Sequence, residues 1–179
     1  SDALATSRSP LQIGAELYGH GGVEAELEIL GLMIESLRCS GIENIYLDLG
    51  HVGIFRGLAS QAGFNQMPEH ALFDALQRKA VPEIRKLLTD YGTGKAAAGM
   101  LVALAELSGD EALQRAVERL AGANQPVHQA LDELSRLAAL LKERYPDLPV
   151  HYDLAELRGY HYHTGVMFAA YVPGMGQEV

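Results

Sequence analysis

One cysteine, Cys39, stands in 179 residues, so no intramolecular disulfide framework can hold this fold. With no signal-like start, that composition fits a reducing compartment, and a cytoplasmic location is expected. Cys39 falls in a helical pattern and is expected as a small buried side chain rather than a reactive thiol. Basic residues are also scarce, 14 Lys and Arg against 23 Asp and Glu for a formal charge of −9. A nucleic-acid partner would need a basic footprint, so none is expected. No apolar run reaches the roughly 18 residues a membrane-spanning helix requires. What the chain does have is a hydrophobic fraction of 48% with 7% aromatics, enough to build one compact domain with a core.

The order of elements follows from periodicity. Leu11 to Tyr18 alternates as a strand, with Leu11, Ile13, Ala15 and Leu17 on one face and Gln12, Gly14, Glu16 and Tyr18 on the other. Glu24 to Ser40 reads as a helix, with Leu27, Leu30, Ile34 and Leu37 at three- and four-residue spacing and Gly41 as its stop. A short strand over 45–49 and a helix over about 52–62 follow. The block 64–145 is rich in Ala, Leu, Glu, Gln and Arg with almost no strand signal, and predicts three to five helices. Pro68 and Pro82 suit first-turn positions there. Val150 to Leu154 and Tyr160 to Val172 read as two further strands. This order lacks the regular alternation of a doubly wound sheet. It predicts an α+β fold, a largely antiparallel sheet carrying a helical insertion over 64–145, within one partial domain spanning 1–179. The first strand needs a neighbour and the last turn implies another strand, so a piece of a longer protein is expected.

The chemistry concentrates at two places. Gln12 and Glu16 share a strand face with Gly14 between them, a surface that suits an amine and a ring nitrogen or, more simply, a solvated outer face. Arg158 precedes Tyr160-His161-Tyr162-His163-Thr164-Gly165. Its planar guanidinium fits a carboxylate or phosphate, or an ion pair with Glu156 or Asp153. His161 and His163 project to one side of their strand, with His151 nearby in sequence. Further ligands at motif spacing are missing, so no metal is expected. Gly92-Thr93-Gly94-Lys95 lacks the length and the following Ser or Thr of a phosphate loop. No nucleophile elbow is present either. Neither pattern supplies a catalytic residue or a cofactor site.

These same segments carry a resemblance. Ser9-Pro10-Leu11-Gln12-Ile13-Gly14-Ala15-Glu16-Leu17-Tyr18-Gly19 resembles the end of class II aminoacyl-tRNA synthetase motif 2 in its histidyl-tRNA synthetase form. Arg158 to Phe168 resembles the histidine-specific signature of that family, and Asp48-Leu49-Gly50-His51-Val52-Gly53 the strand between them. The wording is most similar to the synthetase-like regulatory subunits of ATP phosphoribosyltransferase. The resemblance implies that Gln12 touches the backbone groups of bound histidine, that Glu16 holds its imidazole, and that Arg158 contacts its carboxylate, with Tyr162 and His163 lining the same pocket. His163 replaces a family tyrosine and His161 a family aspartate. Ser9 and Pro10 replace the acid and aromatic that help seat ATP and the tRNA acceptor end. These departures imply a subunit that keeps the amino-acid pocket without the charging reaction, with no catalytic residue and no cofactor expected. The implied partners are free histidine and the short-form catalytic subunit of ATP phosphoribosyltransferase, in a hetero-oligomer containing a homodimer. The alternative is a fragment of an active histidyl-tRNA synthetase that activates histidine with ATP.

Overall fold

A computed structural model describes residues 13–64, 68–157 and 165–173. Helix α1 (Val23–Cys39) leads into strand β1 (Tyr46–His51), which passes without a loop into α2 (Val52–Gln61). Five helices follow: α3 (Pro68–Gln77), α4 (Val81–Asp90), α5 (Lys95–Glu106), α6 (Ala112–Arg119) and α7 (Gln125–Arg144). The two-residue β2 (Ser108–Gly109) lies between α5 and α6, and β3 (Val150–Asp153) and β4 (Val166–Tyr171) complete the order.

The strands form one sheet in the order β2-β3-β1-β4. β1 pairs antiparallel with β4 and parallel with β3, and β2 pairs antiparallel with β3. The sheet is thus mostly antiparallel, and the α+β expectation holds. The one parallel pair requires a crossover, because parallel neighbours cannot be joined by a hairpin. The helices α2 to α7 supply it. Leu47 and Leu49 point from β1 into the core, where they join Leu30 and Ile34 of α1, Ile54, Phe55 and Leu58 of α2 and Leu131 and Leu134 of α7. Each such fully buried side chain contributes about 1.5–3 kcal/mol, so the crossover helices are anchored where the apolar stripes of α1, α2 and α7 meet the sheet.

Helix ends follow local chemistry. At the end of α1, Gly41 takes φ 83°; its N–H donates to Arg38 O (2.9 Å) and the Ile42 N–H to Leu37 O (3.0 Å). This paired closure needs a left-handed residue, which glycine adopts without a Cβ clash. Lys79 closes α3 in the same way at φ 50°, and its ammonium lies 2.7 Å from Asp153 Oδ2.

Three expectations fail among the described residues. Residues 13–18 are not a strand: no described strand pairs with them, Ile13 is 96% exposed and Tyr18 82% exposed. A backbone with no ladder partner has nothing to hold it extended. Cys39 is exposed, not buried. It lies five residues after buried Ile34, about 140° round the helix. Residues 108–109 form a strand inside the block read as helical, because their backbone meets β3 at Ser108↔Asp153 and Gly109↔Tyr152. The start of the predicted strand over 160–172 lies outside the described residues.

Candidate functional site

The best-defined polar cluster sits where β1 ends. His51 is the last residue of β1 and the N-cap of α2, in extended conformation, and its Nδ1 accepts the Gly53 N–H at 3.0 Å. A ring nitrogen that accepts cannot carry the proton, so the hydrogen is on Nε2. Nε2 then donates to Glu133 Oε2 of α7 at 3.1 Å. His51 is only 3% exposed. Burial lowers its pKa, and the nearby Glu133 carboxylate only partly offsets this. The contact is therefore a neutral imidazole donating to a carboxylate rather than an ion pair.

Glu26 of α1 joins from the other side. Its carboxyl accepts the backbone N–H of Val166 at the start of β4. Burial raises its pKa most; the Val166 bond opposes that and the Glu133 charge adds to it. Glu26 Oε2 is buried without a hydrogen-bond partner. The neighbouring backbone is pinned as well, since Val52 N donates to Gly165 O at 3.2 Å. Glycines let these elements approach. A Cβ on Gly165 would lie 3.2 Å from Glu26 Oε1, and one on Gly53 would lie 2.8 Å from the His51 ring. Between α2 and α7 a cavity of about 410 Å³ is lined by His51, Gly53, Arg56, Gly57, Asn124 and Glu133, among others. Asn124 holds its two walls together: Oδ1 accepts Val127 N (3.3 Å) to cap α7, and Nδ2 donates to Gly57 O (2.8 Å).

This cluster places three ionisable groups at the point where the chain enters β4. It can hold or move a proton and it fixes the end of the segment that precedes β4. Among the described residues no group of three or more His, Cys, Asp or Glu side chains could hold a metal, and no helix is long and apolar enough to cross a membrane.

Of the residues singled out in the sequence, Gln12, Arg158, His161, Tyr162 and His163 lie outside the described residues. Glu16 is exposed and accepts the Tyr18 hydroxyl, a bond that, with the Glu16 charge, holds the Tyr18 phenol above its usual pKa. Among the described residues His151 pairs with an aspartate: its Nδ1 meets Asp48 Oδ1 at 2.7 Å across the β3–β1 register. His51, Glu133 and Glu26 were not found by sequence reasoning. The available signal was the strand-to-helix passage at Gly50-His51-Val52-Gly53. Nothing in sequence separates Glu26 or Glu133 from the other helix carboxylates.

A family model described as histidyl-tRNA synthetase matches residues 1–179. The chain is 53% identical over 179 residues to an ATP phosphoribosyltransferase regulatory subunit of Thioalkalivibrio sulfidiphilus, covering 99% of this chain and 45% of that protein. It is 55% identical to the protein of that name from Alkalilimnicola ehrlichii, with the same coverage. The chain thus spans about half the length of the curated relatives it matches, 45% in each case. Among solved structures, an ATP phosphoribosyltransferase regulatory subunit/histidyl-tRNA synthetase from Bacillus halodurans superposes with a TM-score of 0.76 at 25% identity, over 89% of this chain and 42% of that one. An ATP phosphoribosyl transferase (HisG:HisZ) complex from Thermotoga maritima superposes at 0.67 with 20% identity, over 88% of this chain and 54% of that one. The last likeness speaks to fold alone.

Proposed function

Because this chain belongs to the histidyl-tRNA synthetase family, we propose that it is the synthetase-like core of a regulatory subunit of ATP phosphoribosyltransferase, a protein that binds histidine and does no chemistry of its own. The observation that carries this reading is the identity of 53–55% across 99% of the chain to proteins named as that subunit. The replacement of motif 2 charging residues by Ser9 and Pro10 points the same way. In this reading Gln12, Glu16, Arg158, Tyr162 and His163 line the histidine pocket. The short-form catalytic subunit is the partner, in a hetero-oligomer that contains a homodimer of the regulatory chain and works in the cytoplasm. Histidine controls the first step of its own synthesis by binding one state of the assembly better than the other, since equal affinity for both shifts nothing.

Calorimetry on the complete protein with its catalytic subunit tests this. Glu16→Gln and Arg158→Ala are each expected to weaken histidine binding and feedback inhibition together, with a coupling of roughly 1–3 kcal/mol at stake. Unchanged binding and inhibition in both variants would overturn the site. A second reading, an active synthetase, draws on the family model itself. Histidine-dependent pyrophosphate exchange by the complete protein would establish that reading in place of the first.

A further inference from the structure

Glu26, which the histidine reading does not use, closes a contact that the sheet leaves open. β4 is an outer strand in the order β2-β3-β1-β4, so along its far edge the backbone N–H groups have no ladder partner among the described residues. The carbonyl and the N–H of a trans peptide point in opposite directions. In the peptide unit between Gly165 and Val166, the carbonyl accepts Val52 N–H at 3.2 Å. The N–H of the same unit therefore points the other way, where the Glu26 carboxyl accepts it. One peptide plane is thus held at both ends, by a backbone group of α2 and by a side chain of α1. Gly165 gives the carboxyl its room, since a Cβ there would lie 3.2 Å from Glu26 Oε1. Glu26 is partly buried and its Oε2 has no hydrogen-bond partner. Among the described residues, Val166 N–H is the donor that holds this side chain.

The placement matters for what comes before it in the chain. Arg158, Tyr162 and His163, assigned above to the histidine pocket, immediately precede this plane in sequence. His163 is two residues from Gly165, so their Cα atoms are no more than about 7.6 Å apart. A binding constellation works only when its members are held within about 0.5 Å of the productive geometry. Over so short a link, a shift of the Gly165–Val166 plane is passed on to His163. The grip comes from a well-anchored element, because α1 is fixed in the core through Val23, Leu30 and Ile34. We propose that Glu26 is a positioning residue for histidine binding: its carboxyl fixes the Gly165–Val166 peptide and so sets the chain that leads back to His163 and Arg158. This inference rests on the histidine reading above. What the bond needs is reach and an acceptor oxygen rather than charge. Glutamine supplies both, aspartate is one methylene too short, and alanine has neither. Coupling of this kind is reciprocal, so bound histidine strengthens the Glu26–Val166 bond by the factor by which that bond favours histidine.

The test is calorimetry with L-histidine on the complete protein with its catalytic subunit. In Glu26→Asp and Glu26→Ala the affinity is expected to fall about tenfold, while Glu26→Gln binds as the unaltered protein does. Ile84→Val, a mild loss of buried volume in α4, is expected to leave the affinity unchanged, which separates positioning from general destabilisation. In the unaltered protein, saturating histidine should slow hydrogen exchange at Val166 about tenfold, read by mass spectrometry of overlapping peptides from β4. Undiminished affinity in both Glu26→Asp and Glu26→Ala, an equal loss in Glu26→Gln or in Ile84→Val, or unaltered exchange at Val166 would each overturn this inference and leave the histidine reading standing. Absence of histidine binding by the unaltered protein would overturn that reading and this inference with it.

Discussion

Replacing Gly57 by alanine tests the tightest surroundings of any described glycine, the contact of α2 with α7 that walls the His51 cavity. Helix propensity alone favours the change, since an interior glycine costs about 1 kcal/mol relative to alanine. The packing opposes it. A Cβ at position 57 would lie 2.5 Å from Val127 Cγ2, 3.0 Å from Asn124 Oδ1 and 3.3 Å from Val127 N. Carbon–carbon contact settles at about 3.5–4.0 Å, so Val127 must retreat by roughly 1 Å. It has nowhere easy to go, being fully buried and stiff at χ1 as a β-branched residue. Overpacking of this kind costs about 1–3 kcal/mol. Displacing Asn124 also weakens the N-cap of α7, a further loss of about 1 kcal/mol. The propensity gain cancels the capping loss, which leaves Gly57→Ala destabilising by about 1–3 kcal/mol. Urea unfolding is the assay, and a lower midpoint with an unchanged slope is expected. Val127→Ala should be less costly in the Gly57→Ala background than alone, by about 1 kcal/mol, because it removes the clashing methyl. A raised midpoint for Gly57→Ala would refute the packing argument, since propensity would then have decided the outcome.

Three further outcomes follow from the same geometry. Burial lowers the His51 pKa from its ordinary 6.5, so the unfolded chain takes up that proton first. The contribution is complete above 6.5 and is lost as pH falls toward the lowered folded value. His51→Gln should flatten the acid limb of urea-unfolding stability between about pH 5 and 7, and an equally steep limb in both proteins would refute it. The Glu26 carboxyl is raised from 4.5, chiefly by burial. Its contribution is full below that value and is lost as pH rises through the raised one. Glu26→Gln keeps an acceptor for Val166 N–H and is expected to stabilise at neutral pH by about 1 kcal/mol, since the side chain is partly buried and solvent still screens part of the charge; a gain of the same size near pH 4 would contradict this. Lys79→Gly relieves a left-handed backbone, worth roughly 1 kcal/mol, and loses a partly exposed ion pair worth about as much, for little net change. Lys79→Val keeps the strain and should melt lower than Lys79→Gly, and the reverse ranking would sink the strain argument.

Much of the scaffold was legible because it is written in local periodicity. The stripe Leu27-Leu30-Ile34-Leu37 with Gly41 after it predicts a helix over Glu24 to Ser40, and α1 spans Val23–Cys39. Pro82 predicts a helix start, and α4 begins at Val81 with Pro82 in its first turn. The His51 cluster was not legible, because its members come from α1, β1 and α7, and a helix carboxylate that will be buried reads like one that will be solvated. Strand identity was the other weak point. Residues 13–18 alternate as a strand yet have no described partner, while Ser108 and Gly109 carry no strand pattern yet pair with β3. Periodicity reports which residues want to share a face; a ladder needs a second backbone, and that is a non-local fact.

From its sequence alone this protein determined its helices and their stops, its α+β class and its resemblance to histidyl-tRNA synthetases, because each rests on spacing and residue type within a short window. Tertiary structure alone decided that β1 runs parallel to β3, that His51 is buried and neutral against Glu133, and that Asp48 braces His151. Those depend on which distant backbones lie side by side and on how much water their meeting excludes, and neither quantity exists until the chain has closed on itself.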